Sequence, residues 1–264
     1  TESLSYRVYR PKRVEFVDIR NNSAMRTYVR SLCFILAKAV NDVLPNAKTY
    51  IEHAVSKGYF YEIDCEVEVG ETELNAIKKR MREIVDADIP FVQVEEETEK
   101  VVNLFREHGM EDKALLLETS DFLYSRYSML DNYIDYYYGS LMPSSGYITM
   151  FDIQPLNGGF LLRVPNRENP VDLEPFVRQD MLLEVYREHL NFLKISKLDN
   201  VGDLNKAKRE DRIHEVIQVA EAFQSKQIGN IAEEITRKFD DGVRIVLISG
   251  PSSSGKTTFR KRLE

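Results

Sequence analysis

The residues Gly250-Pro251-Ser252-Ser253-Ser254-Gly255-Lys256-Thr257 fit G-x-x-x-x-G-K-[ST] at every fixed position. The chemistry of that pattern is phosphate binding. Glycines at both ends let the backbone bend and bring its N–H groups onto phosphate oxygens. A helix starting just after the second glycine turns its positive end to the same oxygens. Lys256, the candidate catalytic residue, would reach the β- and γ-phosphates as a point charge, and Thr257 would hold Mg²⁺ through its hydroxyl. Ser252, Ser253, Ser254 and Thr258 complete the expected cofactor-binding set. The implied cofactors are ATP and Mg²⁺. The motif is silent on the phosphate acceptor.

Other reactive side chains are scattered. Cys33 lies in an apolar helical run and Cys65 ends a strand pattern, so both read as reduced thiols packed as small hydrophobes. His108 stands beside Gly109 near a helix end, where a cationic ring suits the dipole. His189 and His214 sit in charged helical runs and read as surface side chains. Tyr133, Tyr136, Tyr137 and Tyr138 form a dense aromatic run. Without interleaved Lys or Arg it fits sheet packing better than base stacking. Lys206, Lys208, Arg209 and Arg212 make a basic patch that Glu210 and Asp211 interrupt, so it reads as a solvated helix face.

The elements that must position these residues follow from periodicity. The opening TESLSYRVYRPKR is strand-like and lacks the apolar stretch of a signal peptide. Val14 to Ile19 alternates as a short strand. Asn22 or Ser23 is placed to cap a helix over Met25 to Leu44, whose Leu32, Ile35, Leu36, Ala39, Val40 and Val43 share one face. Pro45 ends it. Thr49 to Val55 and Tyr59 to Cys65 are strands joined through Ser56-Lys57-Gly58, with Gly58 available for positive φ. Glu71 to Val85 is a helix, Ile89 to Val94 a strand, Glu95 to His108 a helix closed by Gly109, and Met110 to Thr119 a further short helix. Phe122 to Val164 reads as one antiparallel meander, with turns at 143–146 and at Asn157-Gly158-Gly159. Asn166 to Pro175, with two prolines and several charges, suggests a boundary. Helices over Asp180 to Leu193 and Asn205 to Phe239 follow. Asp240-Asp241-Gly242 breaks the second. Val243 to Ser249 is a continuous apolar run, as for a strand buried on both faces.

The fold class expected is therefore α+β, with antiparallel sheet and helices in residues 1–165, a helical connector in 166–242, and the first βα unit of a P-loop kinase domain in 243–264. The chain has 264 residues and is 43% hydrophobic, enough for a sizeable core. A net charge of −7 gives no support to nucleic-acid binding through overall charge. No apolar run approaches a membrane span, so a cytoplasmic protein without a membrane partner is expected. A homo-oligomer is compatible with the sequence.

Two stretches carry a family likeness. Arg30-Ser31-Leu32-Cys33-Phe34-Ile35-Leu36-Ala37-Lys38-Ala39-Val40, with Ala47-Lys48 and Gly58-Tyr59-Phe60-Tyr61-Glu62, resembles the editing domain of threonyl-tRNA synthetases over roughly Val14 to Val164. Ser249 to Phe259 resembles the opening of a uridine kinase-type domain. Their order resembles bacterial nucleoside kinases with a fused synthetase-like front half. The likeness implies an ATP-dependent kinase acting on the 5′-hydroxyl of uridine or cytidine, with the nucleoside as substrate partner. Its base-reading residues would lie beyond Glu264, since seven residues after Thr257 cannot encode a P-loop domain. This chain by itself is then expected to transfer no phosphate.

The synthetase editing site uses H-x-x-x-H on the helix and C-x-x-x-H in the later sheet. Here Arg30 and Phe34 stand at the first pair. Aligning Tyr136 to Pro143 puts Tyr137 and Leu141 at the second. The likeness thus implies the fold and argues against the editing chemistry. Arg30, Glu52, His53 and Tyr137 are candidates to line a remodelled pocket for an anionic or nucleoside-like ligand, although ordinary polar residues at a cleft mouth is the plainer reading. Two alternatives stay open. One is a non-enzymatic module binding tRNA, an amino acid or a nucleotide, with the acidic balance weighing against tRNA. The other is a P-loop kinase acting on a sugar phosphate, as phosphoribulokinase does.

Overall fold

The computed structural model describes residues 6–156 and 158–264. The start of the strand-like opening and Asn157 of the expected turn lie outside the described residues. Val14 to Ile19 is not a strand: it pairs with no strand among the described residues. Helix α1 (Asn22–Val43) begins earlier than either expected cap allows: Asn21 is the N-cap, its Oδ1 accepting the Ser23 N–H at 2.8 Å. Of its apolar stripe Leu32, Ile35, Leu36, Ala39 and Val40 are out of solvent, and Val43 is partly buried.

Strands β1 (Lys48–Val55) and β2 (Gly58–Asp64) form the expected hairpin. The left-handed residues are Ser56 and Lys57, not Gly58. Gly58 is needed for a different reason: a Cβ there would lie 2.5 Å from the Leu162 carbonyl oxygen. Helix α2 (Glu71–Asp86) buries Leu74, Ile77, Met81 and Ile84 against α1.

Strand β3 (Phe91–Glu97) runs three residues past its expected end, and helix α3 (Thr98–Glu107) starts correspondingly late. Glu95 has good helix propensity, but it pairs across the ladder with Arg126, and the two side chains form an ion pair. Helix α4 (Glu111–Glu118) packs on α3, burying Ala114 and Leu117 with Val101 and Phe105.

The residues expected as one meander split between two sheets. Strands β4 (Tyr124–Leu130) and β5 (Tyr133–Asp135) join β3 in the order β3-β4-β5. Strands β6 (Asp152–Leu156) and β7 (Gly159–Arg163) join the hairpin in the order β1-β2-β7-β6. All neighbours are antiparallel. Side chains alternate between faces along a strand. One face of the four-stranded sheet, with Tyr61, Phe160 and Leu162, packs with α1 and α2. The other, with Val55, Phe60 and Leu161, takes Leu183 of helix α5 (Asp180–Ser196).

The chain packs as two units, residues 1–191 and 192–264. The first reaches past the proline-containing segment at 166–175 because the front of α5 docks on the sheet. In the second unit the helix expected over Asn205 to Phe239 is two. Helix α6 (Val201–Arg209) starts at an Asn200 capping box, and α7 (Ile213–Asp240) follows a turn in which Asp211 is left-handed. Val243 to Ser249 pairs with no strand among the described residues and exposes Ile245 and Leu247. Helix α8 (Lys256–Leu263) closes the described chain.

Candidate functional site

The four positions at which the sequence places editing chemistry come together. Arg30 and Phe34 lie one turn apart on α1, and the segment Tyr136 to Pro143 crosses that face. The Arg30 Nη1 donates to the Ser140 carbonyl oxygen. Gly139, at φ 110°, lies directly under the guanidinium, where a Cβ would be 2.4 Å from Nη1. The Ser31 hydroxyl accepts the Met142 N–H at 2.8 Å and donates to the Thr27 carbonyl at 3.0 Å. Phe34, fully buried, packs its ring 5.0 Å from Tyr137, 5.6 Å from Phe91 and 6.0 Å from Tyr133. Tyr137 and Leu141 pack on the same core. Burial and the nearby Asp135 carboxylate push the Tyr137 phenol well above its ordinary range. At the four positions that the sequence likeness matched to editing residues the structure thus has a guanidinium, two aromatic rings and a leucine. None of the four can take a proton from water near neutral pH.

Ser31 and Gly139 carry the geometry here and escape a reading for catalytic types. A serine inside the apolar run of α1 is the one signal that the sequence offers. Tyr138, next to Gly139, is exposed, while Tyr133 and Tyr137 pack on the main core and Tyr136 on the smaller one.

His53 is not part of this constellation. The β1–β2 register pairs Ile51 with Tyr61 but His53 with Phe60, a bulge that skips Glu52. Regular alternation would have kept His53 on the α1 face, and the bulge turns it to the α5 face. There the imidazole stacks 3.8 Å from Tyr186 and 5.1 Å from Phe60. Its Nε2 is buried without a hydrogen-bond partner among the described residues. Burial lowers its pKa, and the Glu62 carboxylate opposes that. The expected pocket of Arg30, Glu52, His53 and Tyr137 is thereby divided between two faces of a sheet. His108 caps the end of α3, its Nδ1 2.8 Å from the Leu104 carbonyl.

The segment Gly250 to Thr257 forms a loop in which Ser253 (φ 61°) and Gly255 (φ 79°) are left-handed. A Cβ on Gly250 would meet the Ser254 hydroxyl at 2.9 Å. Lys256 folds back across the loop, its Nζ donating to the carbonyls of Gly250 at 3.0 Å and Pro251 at 2.5 Å. Lys256 opens α8, whose N-terminus has no side-chain cap. Ser252, Ser254, Thr257 and Thr258 are exposed around it. The Lys256 ammonium thus lies over the loop carbonyls, beside the N-terminus of α8. Among the described residues, no helix is long and apolar enough to cross a membrane.

No protein-family model matches the chain. It is similar to the threonine–tRNA ligase of Syntrophomonas wolfei, with 28% identity over 201 residues, 75% of this chain and 29% of that protein. The threonine–tRNA ligase of Desulforamulus reducens is 27% identical over 159 residues, 60% of this chain and 25% of its own. That of Geobacter sp. strain M21 is 29% identical over 150 residues, 56% of this chain and 23% of its own. The chain spans less than a third of the length of these relatives. Most of its length is thus threonyl-tRNA synthetase-like, on an α+β scaffold of two antiparallel sheets and helices.

Proposed function

We propose that the synthetase-like part is a non-enzymatic binding module that keeps the fold of an editing domain without its hydrolysis. The observation that carries this is the packing of Phe34, Tyr137 and Leu141 into one apolar cluster beside Arg30. A hydrolytic site needs a general base or a metal-held water, and that cluster supplies neither. The ligand to which the similarity points is tRNA or its aminoacylated end. The test is incubation of the chain with serine-mischarged threonine tRNA. No deacylation above background is expected, and a rate that depends on the chain would overturn the proposal. A mobility shift with tRNA at low and physiological salt measures binding separately, since phosphate-driven affinity falls steeply with salt.

A second reading concerns residues 243–264 and rests on the loop geometry. Lys256 folded onto Gly250 and Pro251, with an uncapped α8 behind it, supports a nucleoside-triphosphate site. In it Lys256 and the loop N–H groups would hold the phosphates of ATP, and Thr257 the Mg²⁺. ATP would supply the γ-phosphate, and the protein's part would be charge neutralisation and positioning. The partition into an editing-like domain (1–165), a connector (166–242) and a kinase start (243–264) belongs to this reading, as does a uridine or cytidine acceptor. A sugar-phosphate acceptor is its variant. Equilibrium binding of a fluorescent ATP analogue with Mg²⁺ tests it: Lys256→Ala should weaken binding at least tenfold, and equal affinity in the variant would refute it.

A further inference from the structure

We infer that Arg26, Arg30 and Tyr59 form an anion site that takes a phosphate group, at the edge of the degenerate editing site. Asn22, Arg26 and Arg30 stand at successive i,i+4 positions on one stripe of α1, so the two guanidinium groups are neighbours. Helix pairs of like charge repel, and this one has no compensation. The positions three and four residues away along α1 are Asn22, Ser23, Thr27, Val29, Cys33 and Phe34, none of them acidic. Among the described residues no hydrogen bond or ion pair engages Arg26. Arg30 spends only Nη1, on the Ser140 carbonyl, and holds its fork against Gly139.

Tyr59 supplies the third donor. Its half-buried side chain packs on the α1 face of β2, close enough for Arg26 to act on its phenol electrostatically, and no hydrogen bond engages its hydroxyl among the described residues. A further cation approaches the same stripe: Arg167 donates to the Asn22 side chain, one turn before Arg26. In a chain of net charge −7, no carboxylate hydrogen-bonds to or pairs with Arg26, Arg30 or Tyr59 among the described residues. Partial burial and repulsion from Arg26 both lower the Arg30 pKa. A dianionic phosphate matches two guanidinium groups better than a carboxylate does, since its oxygens can accept from two planar forks at once.

The inference rests on reading this domain as a binding module and names the chemistry of its ligand. A phosphomonoester and an RNA phosphate share that chemistry, and the site is assigned to the former, because a pair of arginines neutralises a dianion. The experiment uses the full chain carrying Lys256→Ala, so that the loop at Gly250 to Thr257 does not contribute. Calorimetric titration with inorganic phosphate, uridine monophosphate, acetate and tRNA is followed in this background and with Arg26→Ala or Arg26→Lys added. Arg26 is exposed and unbonded, so its replacement leaves the fold intact. Expected are one site for phosphate and for the monophosphate, weakening of about tenfold or more in Arg26→Ala, partial retention in Arg26→Lys, and much weaker acetate binding. Phosphate affinity unchanged by Arg26→Ala, acetate binding as tight as phosphate, or binding of tRNA alone would each overturn it. A chain that deacylates tRNA yet binds phosphate here would defeat the module reading and leave this site standing.

Discussion

At the scale of single residues, Phe34 and His53 show how one side chain can be read wrongly or rightly for physical reasons. Phe34 is fully buried against three aromatic rings. Its truncation to Ala should cost about 3–5 kcal/mol, the range for emptying a buried aromatic site, and chemical denaturation would register this as a lowered midpoint. A loss under 1 kcal/mol would mean that the cluster is loose. His53 is held neutral in an aromatic sandwich, so its folded pKa lies below the ordinary imidazole value. The unfolded chain takes up the proton first as pH falls. Stability is therefore unaffected well above about pH 6.5 and drops as pH falls from there toward the lowered folded value. His53→Phe keeps the stack and removes the titration. Urea midpoints at about pH 7.5 and about pH 5 should differ less in the variant than in the wild type, and equal differences would show that the imidazole is not the source. The side-chain type of His53 was legible in the sequence. Its face was not, because the bulge beside it is set by cross-strand register.

Among the elements, those built from local periodicity were the legible ones. The apolar spacing of α1 and α2 and the hairpin of β1 and β2 follow from residues near one another in the chain. The motif at Gly250 to Thr257 is equally local, its fixed positions all lying between Gly250 and Thr257. What escaped were long-range pairings. Glu95 to Glu97 extend a strand because Tyr124 to Arg126 lie beside them, and Phe122 to Val164 serves two sheets. The convergence of Arg30 with Ser140 joins residues 110 apart in sequence and is visible only through resemblance. Gly58 was picked for the wrong property, and that distinction can be measured. Lys57 pays the left-handed penalty at φ 56°, so Lys57→Gly should stabilise the hairpin by up to about 1 kcal/mol, less the small loss of its exposed pair with Glu174. Gly58→Ala should destabilise by at least about 1 kcal/mol, because its methyl meets the Leu162 backbone oxygen and β2 must shift from β7. If thermal melts reverse these signs, the turn assignment is wrong.

For the whole molecule, the distribution of burial sets an order of opening. Residues 1–191 hold the aromatic and aliphatic clusters on both sheets. In residues 192–264 the buried side chains are Ala207 and Ile228, with a Phe192–Phe223 stack at 4.5 Å. Val243 to Ser249 has no ladder partner among the described residues, and it lies in an open groove with Ile231 and Ile235 of α7. Local opening is cheapest where few apolar contacts are lost and backbone amides face water. Hydrogen exchange should therefore find α1, β2 and β7 among the slowest-exchanging segments, α6 and α7 faster, and the amides of 243–249 close to unprotected. Addition of ATP with Mg²⁺ should slow exchange in 250–257 and at the start of α8, where ligand would engage the N–H groups, and leave 243–249 fast. Protection of 243–249 equal to that of β2 in the ligand-free chain would mean that this segment is paired in solution. Slowing confined to α1 on adding ATP, absent in Arg26→Ala, would instead place the nucleotide's phosphates on the arginine stripe and remove the loop as their principal site.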